Sequence, residues 1–258
     1  MILNKEYTLG LLRTGKREIQ RGFLDYRNVV IKTRVLENAE GSAQVDIGNT
    51  RVLAGVKLDV GDPMRDKPNE GALTTSAELL PLASAEYEMG PPSPQAIEFA
   101  RVVDRGIRAA GVVDTGVLFI EEGKVWNVYT DLYVLNFDGN LFDAGTLAGV
   151  AALLTAKQPK YEDGKVVREG NIGKLKTGGI ATSCTYAKVG NNILLDPSGN
   201  EEELMSARIT VANDENYIHA MQKGLGGAFS ISEIEKAIET TFEKSKELRS
   251  WLNKAVSD

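Results

Sequence analysis

The sequence predicts a single α/β domain on three observations. Short β-branched runs alternate with helical stretches along the whole chain. No segment rich in Gly, Pro and Ser divides it, and no repeat with a period of about 20–50 residues occurs. The 258 residues are 42% hydrophobic and 26% charged, ordinary usage for a chain with a core of its own.

The stretch 29–36 (VVIKTRVL) is β-branched and half alternating, so it reads as a strand. Strands at 44–47 and 51–58 follow, joined by Gly48-Asn49, a pair able to take positive φ in a tight hairpin. Charges and two prolines mark 61–71 as an exposed loop, and a strand is expected over 74–82. A helix then opens with Ser93 as N-cap and Pro94 at the first helical position. Phe99, Val103, Gly106, Ile107 and Ala110 share its apolar face; Arg101, Arg105 and Arg108 fall opposite, and Gly111 is the stop.

Strands at 117–121 and 124–137 form a hairpin around Glu122-Gly123, and 143–156 is a small, apolar helix. The stretch 159–179, with five glycines from Gly164, is expected as a loop or partly extended excursion. Strands at 180–189 and 192–195 pair around Gly190-Asn191, and further strands cover 204–211 and 217–221. Ser230 and Ser232, each followed three residues later by Glu, cap the last helix. Ile234, Ile238, Phe242, Ser245, Leu248 and Leu252 keep helical spacing along it.

Composition narrows the function. With 36 acidic and 30 basic residues the net charge is −6, so contact with nucleic acid requires a local basic patch or charge supplied by a partner. A lone cysteine, Cys184, excludes an internal disulfide and a Cys-cluster metal site, and a lone histidine, His219, leaves little for zinc or a Ser-His-Asp triad. The first twelve residues hold no apolar stretch suited to a signal peptide. The longest apolar run, 147–154, falls far short of the roughly 20 residues of a membrane span. A soluble, cytoplasmic protein is expected.

Several motifs carry possible chemistry. Gly224-Leu-Gly-Gly227 lacks the lysine and spacing of a phosphate loop and reads as a turn. His219 reads as an ordinary surface or core histidine, and Cys184 as a small buried hydrophobe. Asp196, Glu201, Glu202 and Glu203 lie close together, with Asp214 and Glu215 further on. Such carboxylates can hold Mg²⁺ or act as an acid, but acidic loop residues are ordinarily solvated, and Arg208 nearby would neutralise such a site. The stripe Arg101, Arg105, Arg108 fits a clamp for successive phosphates, and it also fits a solvated face with an Asp104–Arg108 ion pair.

The chain resembles the RNase PH family, whose members shorten RNA from the 3′ end with inorganic phosphate. The pattern runs Arg13-Thr-Gly-Lys-Arg17, Gly22, Asp25-Tyr-Arg27, Ala39-Glu-Gly-Ser42 and Val45-Asp-Ile-Gly-Asn-Thr-Arg-Val-Leu-Ala-Gly-Val56. Gly90-Pro-Pro-Ser-Pro94, Ala96-Ile-Glu98 and Ala100-Arg-Val-Val-Asp-Arg-Gly-Ile-Arg108 are similar to the non-catalytic branch of that family in archaeal exosomes. So are Asp196-Pro-Ser198, Glu201-Glu-Glu203 and Ala207-Arg-Ile-Thr210. The resemblance implies an RNase PH-type fold, two βαβα-like halves with helices packed on mixed β-sheets, as one domain over 1–258.

Active relatives bind phosphate with an arginine entering the central helix; the matching stretch here is Asp138-Gly-Asn-Leu-Phe142, and Phe142 stands in its place. An aspartate that serves those relatives as acid or metal ligand is replaced by Arg208, and Glu201–Glu203 match the remaining acidic position only in part. A phenyl ring has no donors, and a guanidinium can be neither acid nor metal ligand. The resemblance therefore implies no catalytic residue and no metal of its own. It implies pairing with a catalytic RNase PH-like subunit, three heterodimers closing a hexameric ring under a trimer of RNA-binding cap subunits. Inorganic phosphate and Mg²⁺ would act at the partner's site. Arg101, Arg105 and Arg108 would touch single-stranded RNA, with no membrane involved. Two rivals remain: an autonomous phosphate-dependent 3′ exoribonuclease using Asp196 and Glu201–Glu203, and a metal-dependent small-molecule enzyme.

Overall fold

A computed structural model describes residues 2–18, 20–168 and 173–257. Helix α1 (Ile2–Arg13) comes first; its apolar residues form no continuous stripe, so periodicity does not mark it. Then follow β1 (Val29–Thr33), β2 (Gly41–Ile47), β3 (Thr50–Gly61), β4 (Ala72–Leu79) and α2 (Pro94–Ala109). A short 3₁₀ turn (Thr115–Leu118) leads into β5 (Phe119–Glu121), β6 (Lys124–Asn136) and α3 (Leu141–Leu154). Next come β7 (Lys157–Gln158), β8 (Lys160–Glu162), β9 (Lys165–Val167), β10 (Gly173–Lys174), β11 (Thr182–Val189) and β12 (Asn192–Leu195). The chain closes with α4 (Gly199–Glu202), β13 (Ala207–Asn213), β14 (Ile218–Gly224) and α5 (Ile231–Ser257).

The first sheet has the order β1-β2-β3-β6-β4, with β5 also on β6; every pairing is antiparallel except β4 with β6. The second, β12-β11-β13-β14, is antiparallel throughout. Both hairpins expected at Gly48-Asn49 and Gly190-Asn191 form, each with its glycine at positive φ.

Two of the expected strand ends move for clear local reasons. The strand over 29–36 stops at Thr33, because Arg34 turns left-handed (φ 56°) and gives its N–H to the Ser42 carbonyl. The strand over 204–211 starts at Ala207, because Leu204 and Met205 bond back to Glu201 and Glu202 and prolong the α4 turn. The 159–179 stretch carries the small antiparallel ribbon β8–β9 and the strand β10, which pairs with β7 just before the stretch, while residues 169–172 lie outside the described ones.

Helix α3 sits between the sheets and packs on β2, β3, β11, α2 and α5. Leu141 to Leu153 are all buried, which is why the segment is apolar all round rather than striped. Its small residues set the spacing: a Cβ at Gly145 would overlap the Phe99 ring of α2. A Cβ at Gly41 of β2 would likewise overlap the Ala152 carbonyl of α3. Helix α2 shows the amphipathic face read from the sequence, with Phe99, Val103, Gly106 and Ile107 buried and the Ser93 hydroxyl accepting from the Ala96 amide. One apolar core joins residues of both sheets through α3. No described helix is long and apolar enough to cross a membrane.

Candidate functional site: a filled position beside an arginine face

The arginine stripe projects from the exposed side of α2, and its members differ. Arg108 is held by its own helix and by β4: it donates to both Asp104 carboxylate oxygens (3.1 and 2.8 Å) and to the Leu73 carbonyl (2.6 Å). The Asp104–Arg108 pair is the one expected from spacing. Arg105 donates to one neutral acceptor, Oε1 of Gln222 on β14, at 3.1 Å. Arg101 is exposed one turn nearer the N-terminus.

Phe142 and Arg208 meet. Phe142, in the first turn of α3, is buried and packs edge-on against Phe99, with ring centroids 6.0 Å apart. Arg208 on β13 is buried too, and its guanidinium carbon lies 4.2 Å from the Phe142 ring centroid. Its Nη2 donates to Oε1 of Glu98 on α2 at 2.5 Å. Arg208 also lies opposite Gly224 in the β13–β14 register, and a Cβ there would come within 2.6 Å of Nη2. The glycine read as part of a turn is thus the last residue of β14, and it makes room for the guanidinium. Arg208 pairs with Glu98, so it is not the group that neutralises Asp196 and Glu201.

Three other arginines do that, from the segment between α1 and β1. Arg17 donates to both oxygens of Glu201 (2.7 and 2.5 Å) and to the Leu195 and Asp196 carbonyls (2.8 and 3.0 Å). Arg21 reaches Asp196 Oδ2 at 2.8 Å, and Arg27 clamps both Asp196 oxygens at 2.9 and 2.8 Å. The expectation of solvated carboxylates fails here: Asp196 is 0% and Glu201 1% exposed. Burial pushes the Glu201 carboxyl up, but the hydrogen bond and charge of Arg17 outweigh it and hold the group below its ordinary range. Asn140 ties the cluster to α3 by donating to Asp143 Oδ2 (2.9 Å) and Asp196 Oδ1 (2.7 Å).

Glu202 behaves differently. Its Oε1 accepts the backbone N–H of Asn140 at 2.8 Å, so a carboxylate of the chain itself sits at the N-terminus of α3. Burial raises it to about 7 against that bond and the charges of Arg208 and Arg27. Asp143 is likewise raised, to about 6, by burial against hydrogen bonds from Asn140, Thr185 and Tyr26. Cys184 is fully buried as read, and His219 Nε2 lies 2.8 Å from Asp214 Oδ2, an ordinary surface pair. Among the described residues no group of three or more His, Cys, Asp and Glu is placed to hold a metal ion. At the start of α3 the Arg208 guanidinium is stacked on the Phe142 ring and paired with Glu98, and the Glu202 carboxylate holds the Asn140 amide, so an anion there would meet a phenyl face and two carboxylates. These residues do not fit inorganic phosphate or Mg²⁺.

Residues 25–159 match the model of the 3′ exoribonuclease family, domain 1, and residues 179–244 match that of its domain 2. The chain belongs to the RNase PH family. This family member is 46% identical to the exosome complex component Rrp42 of Thermococcus gammatolerans, over 98% of this chain and 94% of the relative. It is 43% identical to that of Thermoplasma acidophilum over 96% and 94% of the two chains. A chain from the structure described as Archaeoglobus fulgidus exosome with RNA bound to the active site superposes with a TM-score of 0.91 at 40% identity. That match covers 96% of this chain and 97% of the other. A chain of an archaeal exosome core gives 0.88 at 37% identity, covering 97% and 96%. Rice Rrp46, at 17% identity and a TM-score of 0.73, shares the fold. The RNase PH-type α/β fold expected from the motifs is the fold of this chain.

Proposed function

We propose that this chain is a non-catalytic ring subunit of an archaeal exosome, the assembly that shortens RNA from its 3′ end with phosphate as nucleophile. It pairs with a catalytic RNase PH-like subunit, and three such heterodimers close a hexameric ring capped by a trimer of RNA-binding subunits. The ring works in the cytoplasm, and inorganic phosphate and Mg²⁺ act at the partner's site. The chain serves as one RNase PH-like domain over 1–258, its two sheets sharing one core through α3. It completes the ring, props the partner's active site, and lends Arg101 and Arg105, with Arg108 in a lesser part, to single-stranded RNA.

The observation that supports this reading is the Phe142–Arg208 stack; by the family resemblance these two residues would stand where active relatives keep an arginine and an aspartate. The test is phosphate-dependent shortening of a labelled single-stranded RNA by this chain alone, by the catalytic subunit alone, and by the two together. Silence alone with a large gain in the mixture is expected. Shortening by the repurified lone chain would instead make it an autonomous exoribonuclease.

A further inference from the structure

A groove of about 810 Å³ lies between the end of β4, residues 80–93 and the first turn of α2. Its lining carries Glu78, Glu86 and Glu88, all exposed, and no lysine or arginine. Met89, 80% exposed, lines it together with Pro91 and Pro92. Tyr87 also lines it, and its buried hydroxyl has no hydrogen-bond partner among the described residues.

Strand β4, whose last residues form one wall, bonds to β6 on one side only among the described strands; the Leu73 carbonyl near its start takes Arg108, and its far end beside the groove has no strand on the other edge. An edge strand, an apolar floor with prolines and a rim of three carboxylates together suit an extended polypeptide carrying cationic side chains. The same rim repels a phosphate backbone, and its carboxylates do not converge on a metal.

The geometry points to this groove as the seat of an extended, arginine- or lysine-bearing segment of the neighbouring ring subunit. The inference rests on the ring reading above and deepens it: the basic face of α2 meets RNA, whereas the acidic groove at the start of that helix meets protein. Main-chain bonds along β4 give the segment its register, and the carboxylates select its charge.

The test reconstitutes the complex from the full chain and the catalytic subunit. One variant combines Glu78→Gln, Glu86→Gln and Glu88→Gln; all three sites are exposed, so its melting temperature should match the parent's. A second carries a benzoylphenylalanine photocrosslinker, Met89→benzoylphenylalanine. The expected result is at least tenfold weaker assembly of the triple variant, more so at low salt, and a crosslink mapping to a basic stretch of the partner subunit. If the parent assembles and the triple variant does so equally well, or the crosslink maps to RNA or to nothing, the groove assignment is overturned while the ring reading stands. Failure of the parent itself to assemble with the catalytic subunit overturns both.

Discussion

The guanidinium of Arg208 stacks on the ring of Phe142 at 4.2 Å and pairs through Nη2 with Glu98, while its buried Nε has no hydrogen-bond partner among the described residues. The arrangement depends on three elements at once: α3 holds the ring, β13 the cation, and α2 the counter-ion Glu98. Gly224 on β14 completes it by having no Cβ to displace the guanidinium. The position is therefore packed with alternative partners rather than left as an empty pocket.

That packing sets the first expectation. Phe142→Arg places a second guanidinium against a buried one and should cost about 3 kcal/mol or more, the usual penalty for an uncompensated buried charge. Adding Arg208→Asp should recover at least about 1 kcal/mol, because the new arginine then has two carboxylates to meet. Urea unfolding of the two single variants and the double variant measures the coupling. Strict additivity would mean that the two residues do not communicate.

The arginine face gives the second. Arg101→Ala with Arg105→Ala should weaken RNA binding by the assembled complex. The slope of log affinity against log salt should fall by roughly 0.7 for each phosphate that is no longer neutralised. Arg108→Ala should change RNA binding less and melting temperature more, since that side chain is bonded to Asp104 and the Leu73 carbonyl. Fluorescence anisotropy across a salt series separates the two. Equal RNA affinity for parent and double variant would remove the face from the RNA path.

Much of this is legible in the sequence because its signals are local. The Ser93-Pro94 start, the α2 stripe and the Gly48 and Gly190 hairpins each depend on residues a few positions apart. The buried ion cluster is not, because Arg17 meets Glu201 across 184 positions and a run of acidic residues looks the same solvated or clamped. Glu98 stands in the family motif beside the stripe, but it is the counter-ion of Arg208, 110 positions away. Helix α1 has no stripe to find. Arg17 and Arg27 stand in the family motifs, yet only the fold brings them to the carboxylates that explain them.

The cluster leads to the third expectation. Arg27→Ala leaves Asp196 without its bidentate clamp in a site of zero exposure, and it should cost about 3–5 kcal/mol. Arg27→Lys should recover little, because a point charge cannot span both oxygens and the Asp138 carbonyl, which Nη1 reaches at 2.5 Å. Chemical denaturation distinguishes this from a surface pair, where the loss would stay below about 1 kcal/mol.

Glu202 gives the last. In the folded chain its carboxyl is raised to about 7 from an ordinary 4.5, and Asp143 to about 6 from 3.8. The folded state thus holds these protons more tightly than the unfolded chain. Their contribution is fully present below the ordinary carboxylate range and is lost as pH rises through about 6 and then about 7. Glu201, held low by Arg17, acts in the opposite sense, its contribution fading only as pH falls through its own depressed range. Between about pH 5 and 7.5 the first two dominate, so the unfolding free energy from urea titration should fall across that window, by an amount on the order of 2 kcal/mol for Glu202. Glu202→Gln keeps an acceptor for the Asn140 amide without the charge, so it should flatten the slope and leave the variant at least as stable as the parent at about pH 7.5. A variant with the parent's full slope would show that the carboxylate at the start of α3 does not titrate in this range.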